Sequence, residues 1–459
     1  MYGLNVGFEI ARRALLSQQY AINITGHNIA NANTPGFSRQ NVIFNTMPPM
    51  YAHPDYGGTG VNVAEIRRLR STFLDTQIRK EQQGLGRWGV LDQTWSQIEM
   101  IINEPSESGI SEMMSEFWTA WQDLADSPFN LAAKNVVKEK AATLTSSFRH
   151  VSNQLSDMRD SLNEDIEIAV EEVNGYLNQL ANLNDQIAKL EVGGAKANDL
   201  RDQRDYIIDQ LSNYVNVSTQ ELKDGSTSIF IGSLAVVERD QVAPLETTTS
   251  YNDGVVVSTI LWSATSNELK LTRGKLKGLV EARDEILPER VAQLDKLAKQ
   301  IVESINAVHS VGYTGNGETG INFFDPNGIT AATMDLSYDV KNDANKIAVS
   351  KNQKDGDNSN VLAILDLRKQ LLMNDNSATF SDYYNGFIGE IGTRAQEATN
   401  MMDNHSLLLN QVEYHRQALQ GVSLDEEMAK LVSYQHAYEA AAKVISIMDS
   451  ALSTVINDI

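Results

Sequence analysis

The chain has 459 residues, a length that allows about two to four domains. Its 60 acidic against 38 basic residues leave a formal charge of −22, which repels phosphate backbones and anionic bilayers and argues against nucleic acid or a lipid surface as partner. Cysteine is absent, so disulfides, zinc thiolates, iron–sulfur clusters and thiol nucleophiles are excluded together.

The first 32 residues read as one helix. Leu4, Phe8, Ala11, Leu15, Ile22 and Ile29, with softer Gln18 and Thr25, fall at alternating steps of four and three, the spacing of a coiled-coil seam. A lone helix with so thin a seam is marginal in water and wants a partner. The pattern ends at Asn33-Thr34-Pro35-Gly36, where Pro and Gly set a turn. Met1 to Ile10 holds Glu9 and neither Lys nor Arg, so no cleaved secretory signal is expected. No run of 18 apolar residues occurs either, so no membrane insertion is expected.

Further long helices follow. Leu155, Met158, Leu162, Ile166, Ala169, Val173, Tyr176, Leu180, Leu183, Ile187 and Leu190 form one apolar stripe. The period then changes to about two around Val215, Val217, Ile229-Phe230-Ile231, Val236-Val237, Val255-Val256-Val257 and Ile260-Leu261-Trp262. Asp224-Gly225 and Asp253-Gly254 are hairpin-turn signals among them. A small antiparallel β domain inserted into a helical body is predicted, with few contacts crossing its stem. Replacing residues 220–266 by a short linker should therefore leave the body folded. Helix resumes from Leu287 to Val308, with Pro288 at a start or kink. The patch Gly312 to Asn360 reads as loops with short strands. A helix from about Thr379 to Leu419 should be softened at Gly386, Gly389 and Gly392.

The last 36 residues mirror the first. Leu424, Met428, Leu431, Tyr438, Ile445, Leu452 and Ile456 again step by four and three, interrupted by Gln435, Ala442 and Asp449, and Ser423 with Glu426 matches a capping box. The two ends are expected to pair. The fold class is thus mainly α with an inserted β domain: a long antiparallel helical bundle built from the N- and C-terminal halves. The expected division is 1–60 with 421–459, 61–215 with 268–420, and 216–267.

No constellation supports catalysis. Gly315-Asn316-Gly317-Glu318-Thr319-Gly320 matches the dinucleotide fingerprint literally but follows a helix and leads into no second one, so it reads as a loop. Asp355, Asp357 and Ser359 have the oxygen spacing of a calcium loop yet lack its Gly and closing Glu; a helix cap is the better reading. The seven histidines form no zinc spacing, and the Asp and Glu pairs lie on solvated helix faces. No cofactor, no metal and no enzymatic activity are expected.

The segment Gly26 to Gln40, with Asn28, Asn31, Asn33, Thr34, Pro35, Gly36, Phe37, Ser38 and Arg39, resembles the signature of bacterial flagellar axial proteins. Asn103 to Ile110, Glu116-Phe117-Trp118-Thr119-Ala120-Trp121-Gln122-Asp123-Leu124-Ala125, Ala197 to Asp205 and Gly421 to Glu427 resemble the hook-associated protein 1 family, over nearly the whole chain. Two departures stand out: the middle insertion is short, and Ser233 follows Gly232 where a second Gly is usual.

The resemblance implies a self-assembling ring at the junction of hook and filament, its terminal helices lining the inner tube and its outer domain projecting. It also implies export without a cleaved signal by the flagellar type III apparatus, and as partners further copies of itself, the hook protein, a second hook-associated protein or filament subunits, and an export chaperone on the C-terminal helix. The alternatives are another axial protein (hook, distal rod or second adaptor) or a secreted adhesin-like module using the Val255 to Trp262 run.

Overall fold

The computed structural model describes residues 2–48, 58–252, 255–354 and 356–457. Helix α1 (Tyr2–Ala30) is followed by a hairpin of β1 (Gln40–Thr46) and β2 (Val61–Arg68), where the sequence predicts only a linker. The hairpin lies back along α1, with Gly60 against Ile10. Its connection is too long to carry a two-residue turn signal, and the expected boundary at residue 60 falls inside it.

The body contains α2 (Thr72–Ile102), α3 (Ile110–Asp126), α4 (Leu131–Glu191) and α5 (Asn198–Tyr214). At 61 residues, α4 runs about 90 Å. Every residue of its predicted stripe is buried except Tyr176, half-buried, and Leu190, exposed. The aromatic motif on α3 turns out to be core. Phe117, Trp118 and Trp121 are buried, and their rings meet Phe323, Phe324 and Phe380 at 5.2–6.3 Å. The loop before α3 ties the start of that helix to the late helix that begins at Phe380, because a Glu104 carboxylate oxygen accepts the Ser111 N–H at 2.9 Å and the Tyr384 hydroxyl at 3.1 Å.

Strands β3 (Val217–Glu221), β4 (Thr227–Ile231), β5 (Leu234–Glu238) and β6 (Gln241–Val242) form one antiparallel sheet; β7 (Leu245–Asn252), β8 (Val255–Trp262) and β9 (Asn267–Glu268) form a second. Of the two turn signals, Asp224-Gly225 joins β3 to β4, while Asp253-Gly254 lies outside the described residues. Between β4 and β5 the turn is Gly232-Ser233, with positive φ at Gly232 alone. A type II′ turn needs positive φ only at its first central residue, so Ser233 fits without strain. The expectation of few contacts across the stem is overturned. Ile229, Ile231, Val236, Val237, Leu245 and Ile260 share one buried core with Val170, Val173, Leu177 and Leu180 of α4. The sheets lie flat along the long helix instead of standing off it.

Helices α6 (Lys275–Glu281) and α7 (Leu287–His309) are joined by a five-residue π turn, Ala282–Ile286. Pro288 therefore sits just beyond a bulge in a continuous helical run, since it offers no N–H to the preceding turn. The Gly312 to Asn360 region, with α8 (Tyr338–Asn342), is less open than its composition suggested: Phe323, Phe324, Met334, Leu336, Val340, Ile347 and Val349 are buried.

His309 pins this region. One ring nitrogen, Nδ1, lies 2.7 Å from the Ile321 carbonyl, and Nε2 accepts the Ala348 N–H at 2.9 Å. Burial pushes its pKa down to about 4 from 6.5. A base depressed on folding stabilises fully above its unfolded value and loses that contribution as pH falls from 6.5 towards 4. Acidification over this window should remove on the order of 3 kcal/mol. Urea unfolding of wild type and His309→Gln at pH 7 and pH 4.5 checks this: the wild type should lose more stability between the two than the variant.

After α9 (Ser359–Leu367), α10 (Phe380–Gln420) starts at a capping box of Thr379 and Asp382 and runs unbroken through Gly386, Gly389 and Gly392. It packs antiparallel on α2: Thr399 donates to Asp92, His405 meets Glu81 at 2.8 Å over Gly84, and Arg416 meets Asp75. The chain ends in α11 (Leu424–Asn457), which pairs with α1.

Candidate functional site

The terminal pair is antiparallel, Asn28 meeting Glu427 at one end and Gly7 touching Met448 near the other. On α1 the most buried positions are small or polar: Ala11, Ser17, Ala21, Thr25 and Asn28. The larger predicted seam residues Phe8, Leu15, Ile22 and Ile29 are half-buried beside them. On α11, Leu431, Tyr438, Ile445 and Leu452 are half-buried, together with Tyr434 and Met448, while Ala441 is buried. Leu424 and Met428 are exposed on the outside of the pair. The side chains of Leu4 and Ile456 lie outside the described residues. The buried side of α1 thus keeps Ala11 and Thr25 of the predicted seam and extends to Ser17, Ala21 and Asn28.

At the inner end of the pair, three sequence motifs meet in space. Asn28 behaves like an extra strand residue: its Nδ2 donates to the Gln40 carbonyl at 2.8 Å and its Oδ1 accepts the Gln40 N–H at 3.0 Å. The same Nδ2 donates to Glu427 Oε2 at 2.9 Å, and Lys430 Nζ meets Glu427 Oε1 at 2.8 Å. Gln40 continues into α5, donating to Asp199 at 2.7 Å and accepting from Asn198 at 3.2 Å. Ser38 donates both its N–H and its hydroxyl to Asp202 at 2.8 Å. Arg39 reaches Glu426 at 2.6 Å, and its N–H donates to the Gln420 carbonyl. The expected capping box at Ser423 is half made, because the Glu426 carboxylate is engaged by Arg39.

The exposed part of the signature makes the turn. Thr34 Oγ1 donates to Asn31, Asn31 Nδ2 donates to the His27 carbonyl, and Gly36 has φ +78° against the Tyr206 ring. Asn33, Thr34 and Pro35 are exposed, while the Phe37 ring packs edge-on to His27.

Behind the joint lies an ion cluster. Arg68 meets Asp202 at 2.7 Å and Asp205 at 3.0 Å, Arg70 meets Asp75 at 2.7 Å, and both Arg79 and Arg416 hold Asp209. Burial alone would raise the Asp205 carboxyl, but Arg70 and Arg68 outweigh it and hold it below the usual range. For Asp202 burial wins and its pKa is raised, with Arg68 and Ser38 opposing. A buried carboxylate paired to several guanidinium groups is strongly penalised if either side is removed.

Other candidates resolve into local structure. Thr314 Oγ1 accepts the N–H groups of Asn316 and Glu318 in the glycine-rich loop, leaving neither for a phosphate. Asp357 caps its own loop, accepting from Ser350, Lys351 and Ser359; Asp355 lies outside the described residues. Among the described residues no group of His, Asp or Glu is arranged to hold a metal, and no helix is long and apolar enough to cross a membrane.

Residues 95–324 match the sequence model described as the flagellar hook-associated protein FlgK helical domain. Over 495 aligned residues the chain is 31% identical to flagellar hook-associated protein 1 of Bacillus subtilis (strain 168), covering 98% of each. The chain belongs to the flagellar hook-associated protein 1 family. To the member from Escherichia coli (strain K12) it is 25% identical, covering 97% of this chain and 98% of that one. The fold is that of the flagellar hook junction protein FlgK from Burkholderia pseudomallei, with TM-score 0.65 at 16% identity over 75% of this chain and all of the other. Flagellar rod models match both ends, residues 8–37 and 419–458. This hook-associated chain is a structural component of the bacterial flagellum, at the junction of hook and filament.

Glu427, Gln40, Asn198, Asp202 and Arg68 were not singled out by sequence reasoning as site residues. All but Arg68 lie in segments whose resemblance to axial proteins was legible, but no periodicity says that those segments touch.

Proposed function

We propose that this member of the hook-associated protein 1 family forms a ring that adapts the hook lattice to the filament, with the terminal helix pair as its inner, subunit-contacting layer. The observation that carries this reading is the apolar surface left uncovered on the pair. Tyr20 on α1 and Leu424, Met428, Val432 and Ile447 on α11 are 47–58% exposed although α11 is already paired. Neighbouring copies would bury these side chains at about 1.5–3 kcal/mol each. Leu15, Ile22, Leu431, Tyr438, Ile445 and Leu452 would complete the assembly surface from inside. Export through the flagellar type III apparatus, contacts with hook protein and with a second hook-associated protein or filament subunits, and a chaperone on α11 follow from the same reading.

We divide the chain accordingly into a terminal unit (2–70 with 420–457), a helical body, and two sheets laid on that body. The adhesin-like alternative loses its main support, since Val257 and Ile260 of β8 are buried where that strand meets α4.

Deleting the gene should leave cells with hooks, no filaments, and flagellin in the medium; hooked cells with full filaments would refute the junction role. Leu15→Asp or Leu452→Asp, tested by complementation, should abolish filament growth while the purified chain keeps its helical melting, because a carboxylate in the packed pair costs several kcal/mol only where that pair is buried. Normal filament growth by either variant would refute the assembly surface.

A further inference from the structure

We infer that the buried Asn28–Glu427 contact is a register key: it selects one alignment of the C-terminal helix on the N-terminal helix out of several that the apolar residues alone would allow.

The apolar side chains are ambiguous in two ways. Along α1 the contact includes Gly7, against Met448, and the buried positions of the helix are Ala11, Ser17, Ala21 and Thr25, small residues with little to interlock. Helix α11 carries two apolar stripes, one facing α1 through Leu431, Tyr434, Tyr438, Ile445 and Met448, the other exposed through Leu424, Met428, Val432, Val444 and Ile447. Turning α11 about its axis, or sliding it by a heptad, would replace one set of apolar contacts by another of similar size. In such helix pairs a single buried polar residue fixes alignment at some expense of stability.

Asn28 and Glu427 are each only 1% exposed, and their geometry admits one alignment. Both Asn28 amide atoms are committed to Gln40, so its orientation is set by β1 before α11 docks. What remains is one Nδ2 hydrogen pointing at the partner helix, and Glu427 Oε2 takes it. The other carboxylate oxygen is held by Lys430, with Arg39 at 4.0 Å. Any slide or rotation of α11 would break this bond, leaving one Nδ2 hydrogen of Asn28 and the Oε2 of Glu427 buried without their partner. Because Gln40 is in turn bonded to Asn198 and Asp199, the key aligns the pair to the body as well as to itself.

The test is a distance within one full-length chain, independent of whether rings form. The chain has no cysteine, so Gln19→Cys and His436→Cys, both at exposed positions on the two helices, take spin labels cleanly. Wild type should give one narrow distance. Asn28→Leu/Glu427→Leu should stay helical with a lowered melting midpoint, because the Gln40 N–H and carbonyl lose their partner, and should show added distances displaced by about 10 Å, one heptad of helix. Asn28→Asp, which sets two carboxylates face to face, should lose the wild-type distance, and Asn28→Asp/Glu427→Gln should restore it. A single unchanged distance in the double-leucine variant overturns the inference, as does failure of the second double variant to recover what Asn28→Asp loses. A wild-type chain without a defined distance overturns it too.

Discussion

Replacing Trp121 by alanine is expected to lower the stability of the body by about 3–5 kcal/mol, the usual loss for a large aromatic fully removed from a core. The side chain is 0% exposed and its ring lies 5.2 Å from Phe323 and 6.2 Å from Phe117. Those rings belong to three separate stretches of chain: α3, the loop after α7, and, through Trp118 and Phe380, the start of α10. Loss of one ring therefore loosens the point where the early and late halves of the sequence meet. Trp121→Phe should be much milder, about 1 kcal/mol, because the buried indole N–H has no hydrogen-bond partner to lose. Urea denaturation followed by far-ultraviolet circular dichroism measures both. A loss below about 1 kcal/mol for the alanine variant would show that the aromatic motif is not the centre of the core.

Excising residues 220–266 and bridging the gap with a Gly/Ser linker is expected to destroy the cooperative fold of the body, the reverse of what the sequence suggests. The cut removes Ile229, Ile231, Val236, Val237, Leu245 and Ile260 from the shared core, uncovering the apolar side of α4 along its second half. It also takes partners away from buried polar groups of the helices. Asn174 loses both bonds to Leu245, Asn184 its bonds to Thr227 and Arg239, Arg204 its bond to the Gly225 carbonyl, and Arg283 its bond to the Ser258 carbonyl. Arg204 is already the least well compensated of these: burial pushes its pKa down to about 10. A buried cation deprived of its carbonyl costs several kcal/mol more. The truncated chain should bind a hydrophobic dye and lose its sharp thermal transition. A soluble truncation with wild-type helical content and melting would restore the view of the sheets as an appendage.

The joint has a mechanical consequence. Force entering through the terminal helices passes to the body through Asn28, Ser38 and Gln40 into α5, and through α10 by Arg416 on Asp209. Short polar contacts backed by paired guanidinium and carboxylate groups are stiff and directional.

How much of this was readable beforehand follows from where each feature's physics resides. Heptad spacing determines that Tyr2–Ala30 and Leu424–Asn457 are helices with apolar stripes, and the period-two runs with Asp224-Gly225 determine strands, because both are properties of adjacent residues. The pairing of the two ends was also legible, since matched stripes of similar length have few other ways to be covered. The seam's exact face was not: whether Ala21 and Asn28 or Ile22 and Ile29 are the more buried depends on the β1–β2 hairpin sharing α1, and that hairpin's long connection leaves no local signal. Nor could spacing reveal that β5, β7 and β8 lie on α4, because a strand's buried face looks the same whether it covers its own sheet or a distant helix. The joint was least visible of all. Asn28, Glu427 and Asp202 are polar residues that a one-dimensional reading assigns to solvent, and only the folded chain, by bringing their partners within hydrogen-bond reach, makes it favourable to bury them.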